Sequence, residues 1–156
     1  MHNVHRGVVV KQPTEADVRD IYIVRRSLEV GAIRPPPTVA AAGLEGLRSV
    51  VASAEASMRR ADWRLVSTLN LEFHQRLVGV RGSPRLDAFF ANLLAELRLA
   101  FASVADQAEF LSPYVGGNRR LCDLVVARRW EESVTELEAY LERSEQTVLD
   151  AVRRGS

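Results

Sequence analysis

From Thr14 to the C-terminus the apolar residues recur at every third or fourth position, with no convincing alternating stretch among them. A spacing near 3.6 residues puts one row of side chains on one face of an α-helix, whereas a half-buried strand needs a period of 2. Helices of this kind must bury their apolar stripes against one another, so the chain is restricted to an all-α bundle. With 47% hydrophobic residues there is ample apolar side chain for a core, which excludes general disorder.

Breakers and caps divide the pattern into segments. Thr14 caps a first helix with Glu15 and Asp17 in its opening turn and Val18, Ile21, Val24 and Leu28 at helical spacing. That helix must stop before Pro35-Pro36-Pro37. A second runs from about Thr38 to Arg60, with Leu44, Leu47, Val51, Ala54 and Met58 as its stripe. Asp62 caps a third that carries Trp63, Val66, Leu69, Phe73 and Leu77 and breaks between Gly79 and Ser83. Ser83-Pro84 restarts the chain as an N-cap followed by proline at the first helical position. The fourth helix then aims Leu86, Phe89, Phe90, Leu93, Leu97, Phe101 and Val104 at a core. Phe110 to Gly117, with Pro113 and a Gly-Gly pair, reads as the main loop. Asn118 caps a short helix to about Ala127, and a last helix runs from near Glu131 to Arg153. The result is an antiparallel bundle of about six to seven helices. Before it, His5-Arg6-Gly7-Val8-Val9-Val10-Lys11 reads as a short isolated strand or hairpin arm.

Composition narrows the function classes. A length of 156 residues suits one domain. Lys and Arg together number 21 against 20 Asp and Glu, a net charge of +1 without the basic excess of a dedicated nucleic-acid-binding domain. Of those 21 basic residues only Lys11 is lysine, and 20 are arginine, the side chain that clamps carboxylates through two donors. Cys122 is the single cysteine, so a disulfide scaffold is excluded and the thiol reads as a small core hydrophobe. No apolar run reaches the ~20 residues of a membrane span and no signal segment opens the chain. The expectation is a cytoplasmic domain without a membrane partner.

Enzymatic signatures are missing: there is no Gly-rich phosphate loop, G-x-S-x-G elbow, C-x-x-C or H-E-x-x-H. One pair has chemical interest. Asn70 and His74 stand at i and i+4, on the helix face that also carries Trp63, Val66 and Leu77. Two polar groups on an inward face are either a hydrogen-bonded core pair or the wall of a polar pocket inside the bundle.

Several segments in order resemble the FCD domain, the C-terminal effector-binding and dimerisation domain of FadR-type GntR transcription regulators. Ile21-Tyr22-Ile23-Val24-Arg25-Arg26-Ser27-Leu28-Glu29 resembles its opening "lyelR..lE", and Asn70-Leu71-Glu72-Phe73-His74 its "D-x-x-F-H". Arg81 to Leu86 matches "a-g-N-p-x-L", Asn118-Arg119 the place of "H-R", Arg128-Arg129 that of "g-D", and Tyr140 to Ser144 that of "H-L-x-x-S". The likeness runs from about Val18 to Val152. It implies that residues 14–154 form the sensing and dimerisation domain. Residues 1–13 would then be the remnant of a winged helix-turn-helix wing and its linker, with operator DNA contacted only through a helix-turn-helix domain absent from this chain.

Departures from the family pattern carry the ligand expectation. Many FCD domains hold a metal with one Asp and three His, and the matching positions here are Asn70, His74, Asn118 and Tyr140. Two neutral amides and a phenol with an ordinary pKa near ~10 suit a first-row metal poorly, so no metal cofactor is expected. The resemblance instead implies a small organic acid, with Arg25 or Arg98 as its positive partner and Asn70, His74, Asn118 and Tyr140 as hydrogen-bonding groups. Alternatives stay open at several positions. Arg25 can pair with Glu29 at i, i+4, Asn118 can be a plain helix cap, and Tyr140 can pack with its hydroxyl in water. Other functions weighed are a dimerisation-only helical module, a metal-binding FCD domain, and an enzyme with His74 as general base.

Overall fold

The computed structural model describes residues 12–34 and 36–155. Thr14 caps α1 (Glu15–Arg25) in a full capping box, its hydroxyl accepting from Asp17 N–H while the Asp17 carboxylate accepts from Thr14 N–H. The helix widens into a π-helical turn over Arg26–Val30 and closes with the short α2 (Gly31–Ile33) before the prolines. Then follow α3 (Ala41–Arg59), α4 (Trp63–Gly79), α5 (Pro84–Ala102), α6 (Gln107–Val126) and α7 (Trp130–Gly155). Asp62 and Ser83 accept the Leu65 and Leu86 N–H groups as N-caps, as their sequence positions require. Among the described residues there is no strand, and the strand expected within His5 to Lys11 lies outside them.

The central helix is α4, packed on α3, α5 and α6, while α7 closes the other side against α1 and α6. The turns between them are short, and Ala61 (φ 55°) and Arg128 (φ 56°) adopt left-handed backbone without being glycine. Arg128 donates to the Val39 carbonyl (3.1 Å), tying that turn to the segment before α3. Across α3 and α6, Arg119 clamps Glu55 through two donors at 2.8 and 2.7 Å.

Four expectations are corrected. Phe110 to Gly117 is not a loop but part of α6, which runs unbroken through Pro113. The missing proline N–H costs one backbone bond, yet Phe110, Leu111, Tyr114, Val115, Asn118, Leu121, Cys122 and Val125 form one buried face only if the helix continues. Asn118 is therefore mid-helix, and the cap is Asp106, which accepts from Glu109 N–H (2.9 Å). On α5, Phe89 does not face the core and is 60% exposed, since the buried row is Phe90, Leu94, Leu97 and Phe101. On α1 and the π turn the inward row is Val18, Ile21, Tyr22, Arg25 and Glu29, one position round from Val24 and Leu28, which are only half-buried. That rotation carries two charged residues inward.

Candidate functional site

The inward rows of α1, α4, α6 and α7 converge on a polar cluster in an otherwise apolar interior. Arg25 (1% exposed) and Glu29 (0%) come from α1 and the π turn, Asn70 (3%) and His74 (0%) from α4, Asn118 (3%) from α6 and Tyr140 (4%) from α7. Each group is held by another. Arg25 Nε donates to Glu29 Oε1 at 2.6 Å, and the other carboxylate oxygen lies 2.6 Å from His74 Nδ1. His74 Nε2 is 3.0 Å from the Tyr140 hydroxyl, which is 3.2 Å from Asn70 Oδ1, and that oxygen accepts from Asn118 Nδ2 at 2.8 Å. A second row of hydroxyls adjoins it, with Tyr22 and Tyr114 bonded to Ser144 at 2.5 and 3.2 Å. The Arg25 guanidinium stands over the Tyr22 ring, 4.9 Å from its centre.

The charges follow from this geometry. Burial opposes ionisation of Glu29, but Arg25 and then His74 outweigh it and hold the carboxyl below its usual range. An ionised carboxylate only accepts, so His74 Nδ1 carries a hydrogen and Nε2 faces the cluster. Burial dominates at His74 and, with Arg25 nearby, lowers its pKa against the pull of Glu29, so the ring is neutral at neutral pH. Burial also raises Tyr140 well above the ordinary phenol, so its hydroxyl keeps its hydrogen. That one hydrogen has two acceptors, His74 Nε2 and Asn70 Oδ1. A neutral His74 takes it at Nε2; a charged His74 donates to Tyr140 instead and sends the phenol hydrogen to Asn70. Asn118 Oδ1 has no donor among the described residues.

Five of the six residues predicted for the site thus stand together, and Arg98 does not join them. It lies exposed on α5 with Nη1 3.3 Å from Thr68 Oγ1, because the α5 row facing inward is Leu94, Leu97 and Phe101. Asn118 is no cap, and the Tyr140 hydroxyl is not in water. Glu29 was foreseen only as a possible partner of Arg25 and is the hinge of the cluster. Its signal in the sequence was the shared 25/29 spacing with Val18, Ile21 and Tyr22. Cys122 is a core residue, its thiol pushed up to about 11 by burial.

The donor set fits a metal ion poorly. Tyr140 retains its proton, Asn70 and Asn118 are neutral, and the phenol oxygen itself occupies the ground between Nε2 and the Asn70 oxygen. The Tyr140 ring also lies where Gly117 has no side chain, since a Cβ there would come within 2.9 Å of it. No group of three metal-binding side chains occurs among the described residues. Five surface clefts, of about 210 to 560 Å3, are walled by other residues.

The centre of the bundle is thus a closed set of hydrogen-bonded polar side chains. The family model of the FCD domain matches residues 20–143, and the chain belongs to that family. A solved structure from Rhodococcus sp. RHA1, a chain named as a transcriptional regulator GntR, is similar with a TM-score of 0.87 and 29% identity. The match covers 97% of this chain and 72% of that one. No curated protein sequence matches. No helix among the described residues is long and apolar enough to cross a membrane.

Proposed function

We propose that this chain is the ligand-sensing and homodimerising domain of a GntR-type regulator, and that its effector is a small organic acid bound at the Arg25–His74 cluster. The supporting observation is that a guanidinium and an imidazole from two helices converge on one carboxylate, with both carboxylate oxygens taken at 2.6 Å. Any acid recognised there meets the charge-assisted donors it needs. The acid acts by shifting a population: it binds one arrangement of the bundle better than another and so changes the spacing of two attached DNA-binding domains. DNA is met by those domains and not by this near-neutral bundle. No metal is required.

A melting screen of carboxylates and sugar acids tests this reading. A saturable rise in Tm with at least one acid, reduced in His74→Ala, is the expected result. The second reading, a dimerisation module without effector, is favoured by the closure of the centre, where every side chain of the cluster is 4% exposed or less. It prevails if no acid shifts Tm while light scattering still finds a dimer.

A further inference from the structure

The polar cluster already contains a carboxylate, and it belongs to the chain. Glu29 lies wholly buried with one oxygen on Arg25 Nε and the other on His74 Nδ1, so it makes the two charge-assisted contacts a bound acid would make. It is carried on the π-helical turn, not on regular helix. A π turn is an α-helix with one extra residue, a form that concentrates at functional sites. Moving that extra residue past Glu29 would rotate its side chain by about 100° out of the cluster. From outside, Leu28 and Val30 pack the turn against the core, Arg26 pairs with Glu145 on α7, and Arg81 donates to the Gly31 carbonyl at 3.2 and 3.0 Å.

We infer that Glu29 is the resident occupant of a carboxylate site made by Arg25 and His74, and that a small external monocarboxylate binds there by displacing it. This rests on the proposed function and adds what the effector must do: compete with an internal acid and reset the turn at Arg26–Val30. An effector therefore binds more weakly than the same contacts would allow in an open pocket, because part of its affinity goes into expelling Glu29.

The experiment is chemical rescue. Glu29→Ala removes the resident acid, and formate or acetate is titrated against acetamide and chloride while Tm is recorded. The expected result is an acetate-dependent rise of about 3–6 °C at tenfold over its dissociation constant, absent with acetamide and reached only at higher acetate concentration in the wild-type chain, where Glu29 competes. If Glu29→Ala does not fold in plain buffer, the same titration reads recovery of helical circular dichroism, and Glu29→Gln, which fills the space with a neutral group, must show no acetate response. Rescue missing from Glu29→Ala, or equal in the wild type, overturns the inference. The displacement can fail alone. An acid that shifts the wild type without acetate rescue of the variant sinks the displacement and keeps the effector. Rescue of the variant with no response of the wild type to any acid overturns the displacement as well.

Discussion

Two halves of one interior are built on opposite terms. Around α5 and the start of α6, Phe101, Phe110 and Tyr114 pack ring on ring at 5.0, 5.9 and 5.5 Å, among Phe90, Leu97 and Leu111. Around α1 and the middle of α4, six buried polar groups answer one another by hydrogen bonds. The rings of Tyr114 and Tyr140, 5.9 Å apart, join the two. In the aromatic half a residue is defined by volume and shape, and another apolar residue of the same size would serve. In the polar half each residue is defined by its partner, so removing one group leaves another stranded in a dry place. Replacing a buried ion pair by well-packed apolar residues is often neutral or stabilising, so the polar half is not needed for the bundle's stability.

The sharpest way to break this contrast is Arg25→Ala. It leaves the Glu29 carboxylate buried with His74 alone, and a loss of about 3–5 kcal/mol in urea unfolding is expected. Arg25→Met combined with Glu29→Leu should recover part of that loss, because the charge and its partner leave together while the His74 Nδ1 hydrogen loses its acceptor. A double variant as unstable as Arg25→Ala would mean the pair matters for shape and not for charge.

Leu97, fully buried on α5, reports on the apolar half. Leu97→Ala should cost about 2–5 kcal/mol, while Leu97→Met should stay below about 1.5 kcal/mol. Comparable losses from both would show that the aromatic half, too, is defined by specific contacts.

Acid should separate the halves. The folded pKa of His74 lies below its ordinary 6.5, so the native state binds fewer protons than the unfolded chain as pH falls below that value. Its contribution is complete above 6.5 and is lost on the way down to the folded pKa. Glu29, held below its ordinary 4.5, adds a second loss below that pH in the same direction. Urea midpoints should therefore decline from pH 6.5 downward, with a slope of at most about 1.4 kcal/mol per pH unit from His74. His74→Gln should flatten the portion between 6.5 and 4.5; an unchanged slope would place the titrating group outside the cluster.

The smallest effect is expected at the surface. Phe89 is 60% exposed on α5, and Phe89→Ser should change the monomer's stability by less than about 0.5 kcal/mol. A larger loss, dependent on protein concentration, would show that this side chain is covered by a second copy in solution.

Helix existence and most caps were legible in the chain, because a 3.6-residue period and the local chemistry of Thr14, Asp62 and Ser83 act within a few residues. The polar cluster was half legible. Asn70 and His74 announce themselves by standing on an apolar face, but Arg98 stands at an equally helical position and turns outward. Which way a row faces is decided by neighbouring helices. Pro113 and Gly116-Gly117 point locally to a loop, and α6 overrides them because Gly117 lets the Tyr140 ring approach and the buried face continues on both sides.

What the sequence determined by itself was therefore the all-helical class, the order of the helices and the presence of polar residues in an apolar row. Local backbone preference and periodicity suffice for those. Only the tertiary structure decided that Glu29 sits between Arg25 and His74, and that the Tyr140 phenol fills the ground between His74 and Asn70. The contacts joining Glu29 to His74, His74 to Tyr140 and Asn70 to Asn118 cross from one helix to another, 45, 66 and 48 residues apart, and exist only once four helices have packed.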